Sequence, residues 1–579
     1  GGLRARPAPA PLKLAPGTRA LDFCDAGAGP VRNATVHLEL NGTRLGEPLQ
    51  TDAQGAVETV INAPAFTSQP IENVALVATV VHRAHGTIRA SASITVARSA
   101  YRVEVVSAHA AVVPEVPTEL YLTVSDASGS PPPAAVMGSG FDFGSYGRVG
   151  IGSDLRGHSG HAVNVVSFGS RLEKPAYLEL NFYYGGTIGD DPDKRWRVVF
   201  VPGYSGDLFH ATGNFSQNFA IRNAYAEVEN LGVRGLSLWA GSRMYRGDDV
   251  YLLDFWPLDN LNTVGGGAAY SFNQKRTLLQ LQIGMNRLAD WYQFQQIQVP
   301  ARRLPSSTTV LSQQPATTTV TTLDRQRLVM SAKATQFVRA LDQLPNGKII
   351  VYGEFHYLPK GERQPEMVGL PPQPLSDDYG YVLGAQIGGW LRSFVFANLF
   401  FRHAGGLGAF GDLGRPFGFG SDERVWGATE NTLALSGNYE SQNLGMMVGG
   451  YFRKWSDANK AEDSGYSEGA LAVRPTVYFT KYIHTAVELS YQIRRPTTVD
   501  QDTTRYIRPM VARASIMPIV APLGRGTYSR PFLYALYTLS WLNADAQYYL
   551  FEPQDVRAGR SIIHYLGLGV EWWFNSSYR

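Results

Sequence analysis

From Phe141 to the end of the chain, polar and apolar residues alternate in segment after segment, and this period of two limits the fold more than any other feature. In the stretch from Tyr177 to Tyr184, residues Tyr177, Glu179, Asn181 and Tyr183 fall on one side, and Leu178, Leu180, Phe182 and Tyr184 on the other. Gln280, Gln282, Gly284 and Asn286 alternate with Leu281, Ile283 and Met285. Lys348, Ile350, Tyr352, Glu354 and His356 alternate with Ile349, Val351, Gly353 and Phe355, and Glu488, Ser490 and Gln492 with Val487, Leu489, Tyr491 and Ile493. Successive side chains of a strand point to opposite faces, so each segment reads as a strand with one wetter and one greasier side. A soluble sandwich shows the same pattern over a shorter distance. Its persistence, with aromatic residues recurring near strand ends, predicts an all-β fold dominated by a large antiparallel transmembrane barrel. In the closing strand, Val570, Trp572 and Phe574 are expected to face out, and Gly569, Glu571 and Trp573 in.

Composition excludes the main rivals. The greasiest segment, Leu383 to Phe401, is broken by Arg392, so a membrane-crossing helix of about 18 apolar residues is not expected. The 52 basic and 49 acidic residues are too evenly matched for a nucleic-acid partner. A share of 12% aromatics with 60 glycines suits a barrel that is apolar outside, polar inside and aromatic at both water interfaces. The single cysteine, Cys24, excludes an internal disulfide and a cysteine-based metal site, and reads as a small buried residue. Gly465-Tyr466-Ser467-Glu468-Gly469 fits G-x-S-x-G, but is expected in a polar turn rather than at a strand–turn–helix elbow. Asp154, His158 and His161 read as a solvated loop rather than a metal site. No enzyme, catalytic residue, cofactor or metal is expected.

Three segments are expected along the chain. Residues 1–16 form a Pro/Ala-rich segment that looks like a processed mature end, compatible with export. Residues 17–137 carry short Val/Ala/Thr-rich strands (Thr35–Leu40, Ala56–Ile61, Val74–Val81) and turns at Thr51–Gly55 and Ser125–Gly129. They read as an immunoglobulin-like β-sandwich, with a second, partial β unit from about Ala100 and a stiff Gly129–Pro133 linker. Residues 138–579 form the barrel. Leu304–Thr322 and Gly405–Asp422 are expected as long extracellular loops.

A family resemblance rests on motifs in order along the barrel region. They run from Phe141–Arg148 through Arg171-Leu172, Ala176–Leu180, Arg222-Asn223-Ala224, Trp239–Tyr245 with Asp248–Trp256, and Ala332–Gln336 to Ser529-Arg530-Pro531 and Gly569–Phe574. Together they resemble the maltoporin family of sugar-conducting outer-membrane porins over about residues 141–574. The resemblance implies a trimer of barrels with about 18 strands each, a size that leaves an aqueous channel. It also implies a line of aromatic rings that stack on sugar faces, with charged groups beside them holding the hydroxyls. Tyr146, Tyr177 and Trp573 stand at such aromatic positions, and Trp256 at the constriction, where the family has a tyrosine. Arg148, Arg171, Glu179, Arg222, Asp249 and Asp254 match the polar track.

The chain departs from the family pattern in several places. Met330 replaces a slide phenylalanine, Tyr251 a histidine and Gly247 an arginine, while Trp541 sits one residue out of register with a further aromatic. Phe209 and Phe215 are the nearest counterparts of the ring donated by a neighbouring subunit. The expected function is passive diffusion of sugars or oligosaccharides through an outer-membrane homotrimer surrounded by lipid, with the N-terminal domain in the periplasm. The alternative is an anchoring barrel of an envelope-spanning complex, its N-terminal domain binding a periplasmic protein.

Overall fold

The computed structural model describes residues 140–576, apart from 190, 207–217, 274–275, 288–290, 301–316, 339–346, 366–369, 393, 412–413 and 462–463; before residue 140 it describes strands only. Eighteen antiparallel strands close into one barrel. The first nine are β1 (Gly140–Ser153), β2 (Ala176–Ile188), β3 (Asp191–Gly206), β4 (Asn218–Glu229), β5 (Leu236–Arg246), β6 (Asn260–Phe272), β7 (Thr277–Asn286), β8 (Arg327–Val338) and β9 (Gly347–Leu358). The second nine are β10 (Asp378–Arg392), β11 (Val395–Gly406), β12 (Thr429–Glu440), β13 (Leu444–Ser456), β14 (Tyr466–Tyr478), β15 (Ile483–Pro496), β16 (Met510–Val520), β17 (Phe532–Leu542) and β18 (Ile562–Phe574). Every strand pairs with its sequence neighbour, and β1 closes on β18 with Tyr146 opposite Trp573 and Arg148 opposite Glu571.

The alternation in the sequence is the alternation of the wall. On β15, Glu488, Ser490 and Gln492 are buried in the interior, while Leu489 is 56% exposed between them. On β9, Tyr352 and His356 are buried and Val351 is 58% exposed. Closure leaves no strand edge unpaired, so the backbone donors and acceptors in the membrane are satisfied within the wall. The connections sort into two rims. Turns such as 230–235 and 441–443 are short, whereas 154–175, 247–259, 359–377 and 543–561 are long. Gly140 and Phe574 both lie on the short-turn rim, which in bacterial barrels of this kind is the periplasmic one.

Long connections turn inward. The one after β1 (L1, 154–175) and the one after β5 (L3, 247–259) enter the lumen and pack together. Their apolar residues Val163, Val165, Val166, Val250, Leu252, Leu253 and Phe255 form a core with Phe400, Tyr451, Val511 and Leu542 of the wall and with Ala546 of the helix α1 (Ala544–Leu550). Each such side chain contributes about 1.5–3 kcal/mol when fully buried, so the inward position of both loops is strongly favoured.

Several expectations need correction. Of Gly405–Asp422, Gly405 and Gly406 end β11, and Leu407–Phe410 is a 3-10 turn packed inside against Tyr292, Trp455 and Tyr466 rather than a solvated loop. The glycines permit this: a Cβ on Gly408 would lie 2.3 Å from the Tyr381 carbonyl oxygen, and one on Gly380 2.3 Å from the Gly408 nitrogen. Within Leu304–Thr322, residues 317–322 lie in a strand, Thr317–Asp324, that pairs with Phe294–Pro300; the rest falls outside the described residues. Residues 466–469 of the G-x-S-x-G match lie on β14, with Glu468 facing the lumen, so the segment is an extended strand and not a turn.

Before the barrel, Thr43–Gln50, Thr35–Leu40, Ile71–His82 and Gly86–Ala97 form a four-stranded antiparallel sheet, and Ala56–Ile61 belongs to a separate three-stranded sheet. The turn Thr51–Gly55, all of Ser125–Gly129 except Ser125, and the Gly129–Pro133 linker lie outside the described residues.

The alternation makes a direct prediction. Leu489→Arg, on the lipid face near the middle of β15, should cost about 2–4 kcal/mol in unfolding from lipid vesicles. A loss no larger than that of an ordinary surface substitution would contradict the assignment of the outward face.

Candidate solute pathway through the barrel

L1 is seated by polar residues of the lumen wall. The backbone nitrogen of Val165 donates to Gln492 Oε1 at 3.1 Å, that of Phe168 to the Tyr451 hydroxyl at 3.2 Å, and the Ser170 hydroxyl donates to Glu488. Arg513 pairs with Glu173. L1 is then joined directly to L3: the Arg171 nitrogen donates to the Leu252 carbonyl at 3.1 Å, and Phe168 stacks on Phe255 with centroids 4.2 Å apart. The L3 chain reverses at Asp254, whose φ of 55° is left-handed.

Two carboxylates fix this arrangement. Asp254 accepts from Arg148 at 2.6 Å, with Lys174 at 3.4 Å and Arg171 at 3.7 Å. Glu571 on β18 takes Arg171 at 2.8 Å and Arg530 at 3.0 Å, and accepts from the hydroxyls of Tyr251 at 2.8 Å and Tyr146 at 3.2 Å. Arg530 comes from the short-turn rim, so the 521–531 connection meets L3 inside the barrel. Removing a charge from water is costly, and it is tolerated here because each carboxylate is met by several donors.

The loop charges respond to this packing. Burial works against the Arg171 guanidinium, but Glu571 and the neighbouring hydroxyls hold its pKa well above the ordinary value. Burial lowers that of Lys174, and Asp254 only partly compensates. Burial pushes the Asp248 carboxyl up, but Lys348, 2.6 Å away, more than reverses this and leaves it below the usual range.

Eight of the ten residues picked from the sequence are brought together by this network and its edge. Tyr146 is 0% exposed, with its ring 5.8 Å from Tyr177 and 6.5 Å from Trp573, so it offers no open face and is a buried part of the network rather than a platform. Arg171 and Glu179 are likewise buried. Tyr177 and Trp573 keep part of their surface, as do Arg148 and Arg222. Tyr177 donates to Glu179, and Arg222 lies 3.4 Å from Glu179. Trp256 and Asp249 are the other two, both in L3. Trp256 is buried with the Arg246 guanidinium 4.0 Å above its ring, and Asp249 immediately precedes the buried Val250.

Register resolves two other positions. Met330 pairs with the outward Ile283 and Phe355 and is itself 39% exposed, so it faces lipid and replaces no lumen ring. Trp541 pairs with Ile562 and is 42% exposed, also outward. Phe209 and Phe215 lie outside the described residues. Asp154 is bound by His158 at 2.9 Å, and Arg560 lies 3.7 Å away. Sequence reasoning missed Tyr251, Tyr528, Arg530 and Glu571, although three of these lie inside the motifs it quoted or noted. Tyr528 extends the aromatic run, 6.4 Å from Trp573 and 5.5 Å from Tyr251.

The LamB porin family model matches residues 141–574. Maltoporins from two Vibrio cholerae serotype O1 strains, ATCC 39315 and M66-2, are 32% identical over 164 residues, 27% of this chain and 38% of each relative. The chain therefore matches well under half the length of these curated relatives. Among solved structures, Pseudomonas aeruginosa OpdK with vanillate aligns at 11% identity over 75% of this chain and 98% of that one, with a TM-score of 0.38. The outer-membrane channel DcaP of Acinetobacter baumannii aligns at 11% identity over 76% of this chain and 100% of that one, with a TM-score of 0.34.

The carboxylate network predicts that Glu571→Ala, which strands Arg171 and Arg530 without their shared partner, costs about 3–5 kcal/mol of stability. Denaturant unfolding should show this loss, and protease should cut within 247–259 before the barrel unfolds. An unchanged unfolding midpoint with L3 still protected would remove Glu571 as its anchor.

Proposed function

The chain belongs to the LamB porin family, an outer-membrane channel rather than an enzyme, and from that premise we propose that it passes sugars or oligosaccharides by passive diffusion. The observation that carries this reading is the aromatic run Tyr177–Tyr146–Trp573–Tyr528 beside ionised groups, with neighbouring rings 5.8, 6.5 and 6.4 Å apart. A pyranose has C–H-rich faces and a rim of hydroxyls, so an exposed ring and adjoining charges complement both.

In this reading Tyr177 and Trp573 supply the stacking faces, Arg148 and Arg222 exchange contacts with hydroxyls, and the buried Glu179 holds the Tyr177 hydroxyl and Arg222 in place. Tyr146, Arg171 and Asp254 hold the loops that shape the passage. Trp256, with Asp249 nearby in L3, narrows it. Such sites should bind weakly, because a tightly held solute leaves slowly. The name maltoporin carried by its relatives favours linear glucose oligomers. We also propose a homotrimer embedded in outer-membrane lipid, with the segment before residue 138, read as an immunoglobulin-like domain, in the periplasm.

A second reading, a barrel that anchors an envelope-spanning complex through its N-terminal segment, is favoured by one observation. The apolar core of L1 and L3 occupies part of the lumen, packed against Ile350 of β9 and the wall from β11 to β18.

Planar-bilayer recordings with maltotriose test the first reading. Openings in groups of three that sugar closes, with a several-fold weaker block in Tyr177→Ala, are expected. A conductance that no sugar alters, or no conductance at all, would favour the anchoring role.

A further inference from the structure

Away from the aromatic run, a cavity of about 460 Å³ lies between the long-loop ends of β6 to β11 and the inward 3-10 turn, with Gly408 and Gly411 in its lining. That volume is in the range of small-molecule pockets, about 300–1,000 Å³. None of the ten residues chosen from the sequence lines it. Its charged lining is Arg287, Arg327, Glu354, His356 and Arg402, three guanidiniums to one carboxylate.

The state of these groups differs in an informative way. Arg402 is committed to Glu430 at 2.6 Å, and Arg287 to Asp324 at 3.2 Å. Glu354 is committed to His356 Nε2 at 2.6 Å and to the Tyr352 hydroxyl. Arg327 is 4% exposed, and its Nε donates to the Asn286 side chain at 2.8 Å. Among the described residues no carboxylate lies within ion-pair distance of its guanidinium. Glu354 is the carboxylate of the same lining that faces it, and it is already committed to His356 and Tyr352, so a bound anion would offset the cost of holding the guanidinium out of bulk water.

His356 adds a second, independent sign. It is 2% exposed, and its Nδ1 has no hydrogen-bond partner among the described residues. An ionised carboxylate can only accept, so in the neutral imidazole the nitrogen facing Glu354 carries the proton and Nδ1 is an acceptor. A buried acceptor without a donor is likewise unfavourable unless a ligand hydroxyl or a water fills the place.

We propose that this cavity is a binding site for acidic saccharides, in which Arg327 takes the carboxylate of a uronic acid and His356 Nδ1 accepts from a sugar hydroxyl. A guanidinium presents paired donors matched to a carboxylate, and the excess of cationic lining draws anions toward the cavity. The inference rests on the sugar-channel reading and narrows its substrate class: a charged sugar would meet this site in addition to the aromatic run.

The test compares trigalacturonic acid with maltotriose in planar bilayers, recorded at both voltage polarities so that field-driven entry is separated from binding. Trigalacturonic acid is expected to close the wild-type channel at a concentration at least tenfold lower than maltotriose. Arg327→Gln should abolish that advantage while leaving the maltotriose block unchanged, and His356→Phe should reduce it several-fold. If Arg327→Gln fails to assemble, the His356→Phe channel alone decides, since it leaves Arg327 in place. Closure by maltotriose with no preference for the acid, or a preference that survives in the variants, overturns the acidic site and leaves the sugar channel standing. If neither saccharide closes the channel, the sugar reading itself fails.

Discussion

The carboxylate of Glu571 is the point on which the interior depends. It sits on the last strand, yet it gathers Arg171 from L1, Tyr251 from L3, Arg530 from the opposite rim and Tyr146 from the first strand. A wide barrel has no core of its own, because the inward faces of opposite strands are too far apart to touch. Here the core is imported by folding loops into the lumen, and their backbone and charged groups are then satisfied there. Apolar packing supplies most of the stabilisation, and the ion network fixes position rather than adding much net energy. Asp254 does the same work at the turn of L3, where a left-handed residue lets the chain reverse against three cations.

This division of labour shapes the passage. The side of the lumen toward β11–β18 is occupied by packed loops, so solutes are left with the aromatic edge near β1, β2 and β18 and the polar cavity bordered by β6 to β11. The two regions differ in chemistry. One presents partly exposed rings among paired charges, and the other an arginine bonded to Asn286 and a histidine Nδ1 with no partner among the described residues. A channel with both would sort solutes by their faces and by their charge, as weak, separate contacts along one path.

The wall was legible in the sequence because facing in a strand is a local property: Glu488, Ser490 and Gln492 alternate with Val487, Leu489 and Tyr491 whatever the rest of the chain does. The inward faces of Glu571 and Trp573 followed from the same rule. The loops were not legible. Val163-Asn164-Val165-Val166 is too short an apolar run to distinguish a buried loop from an exposed one, and its partners lie some three hundred residues away. Met330 could not be assigned a face from sequence because matching residue types between chains does not fix register, and one step turns a side chain from water to lipid. Tyr146 was placed on the right face, but its burial involves Arg171 of L1 and Glu571 of the last strand, which its neighbours in sequence do not reveal. His356 reads only as an inward position of an alternating strand; its bond to Glu354, its unpartnered Nδ1 and the bond of Arg327 to Asn286 are visible in three dimensions alone.

The central claim is that L1 and L3, pinned at Glu571 and Asp254, fill one side of the lumen and leave the passage along the other. An electron cryo-microscopy map of the channel in lipid nanodiscs, soaked with oligosaccharide, tests it most directly. The account predicts both loops inside the barrel, Arg171 and Arg530 on Glu571, and saccharide density confined to the Tyr177–Trp573 edge and the Arg327 cavity. Loops lying outside the lumen, or saccharide running through the space assigned to Val165, Leu252 and Phe255, would contradict it.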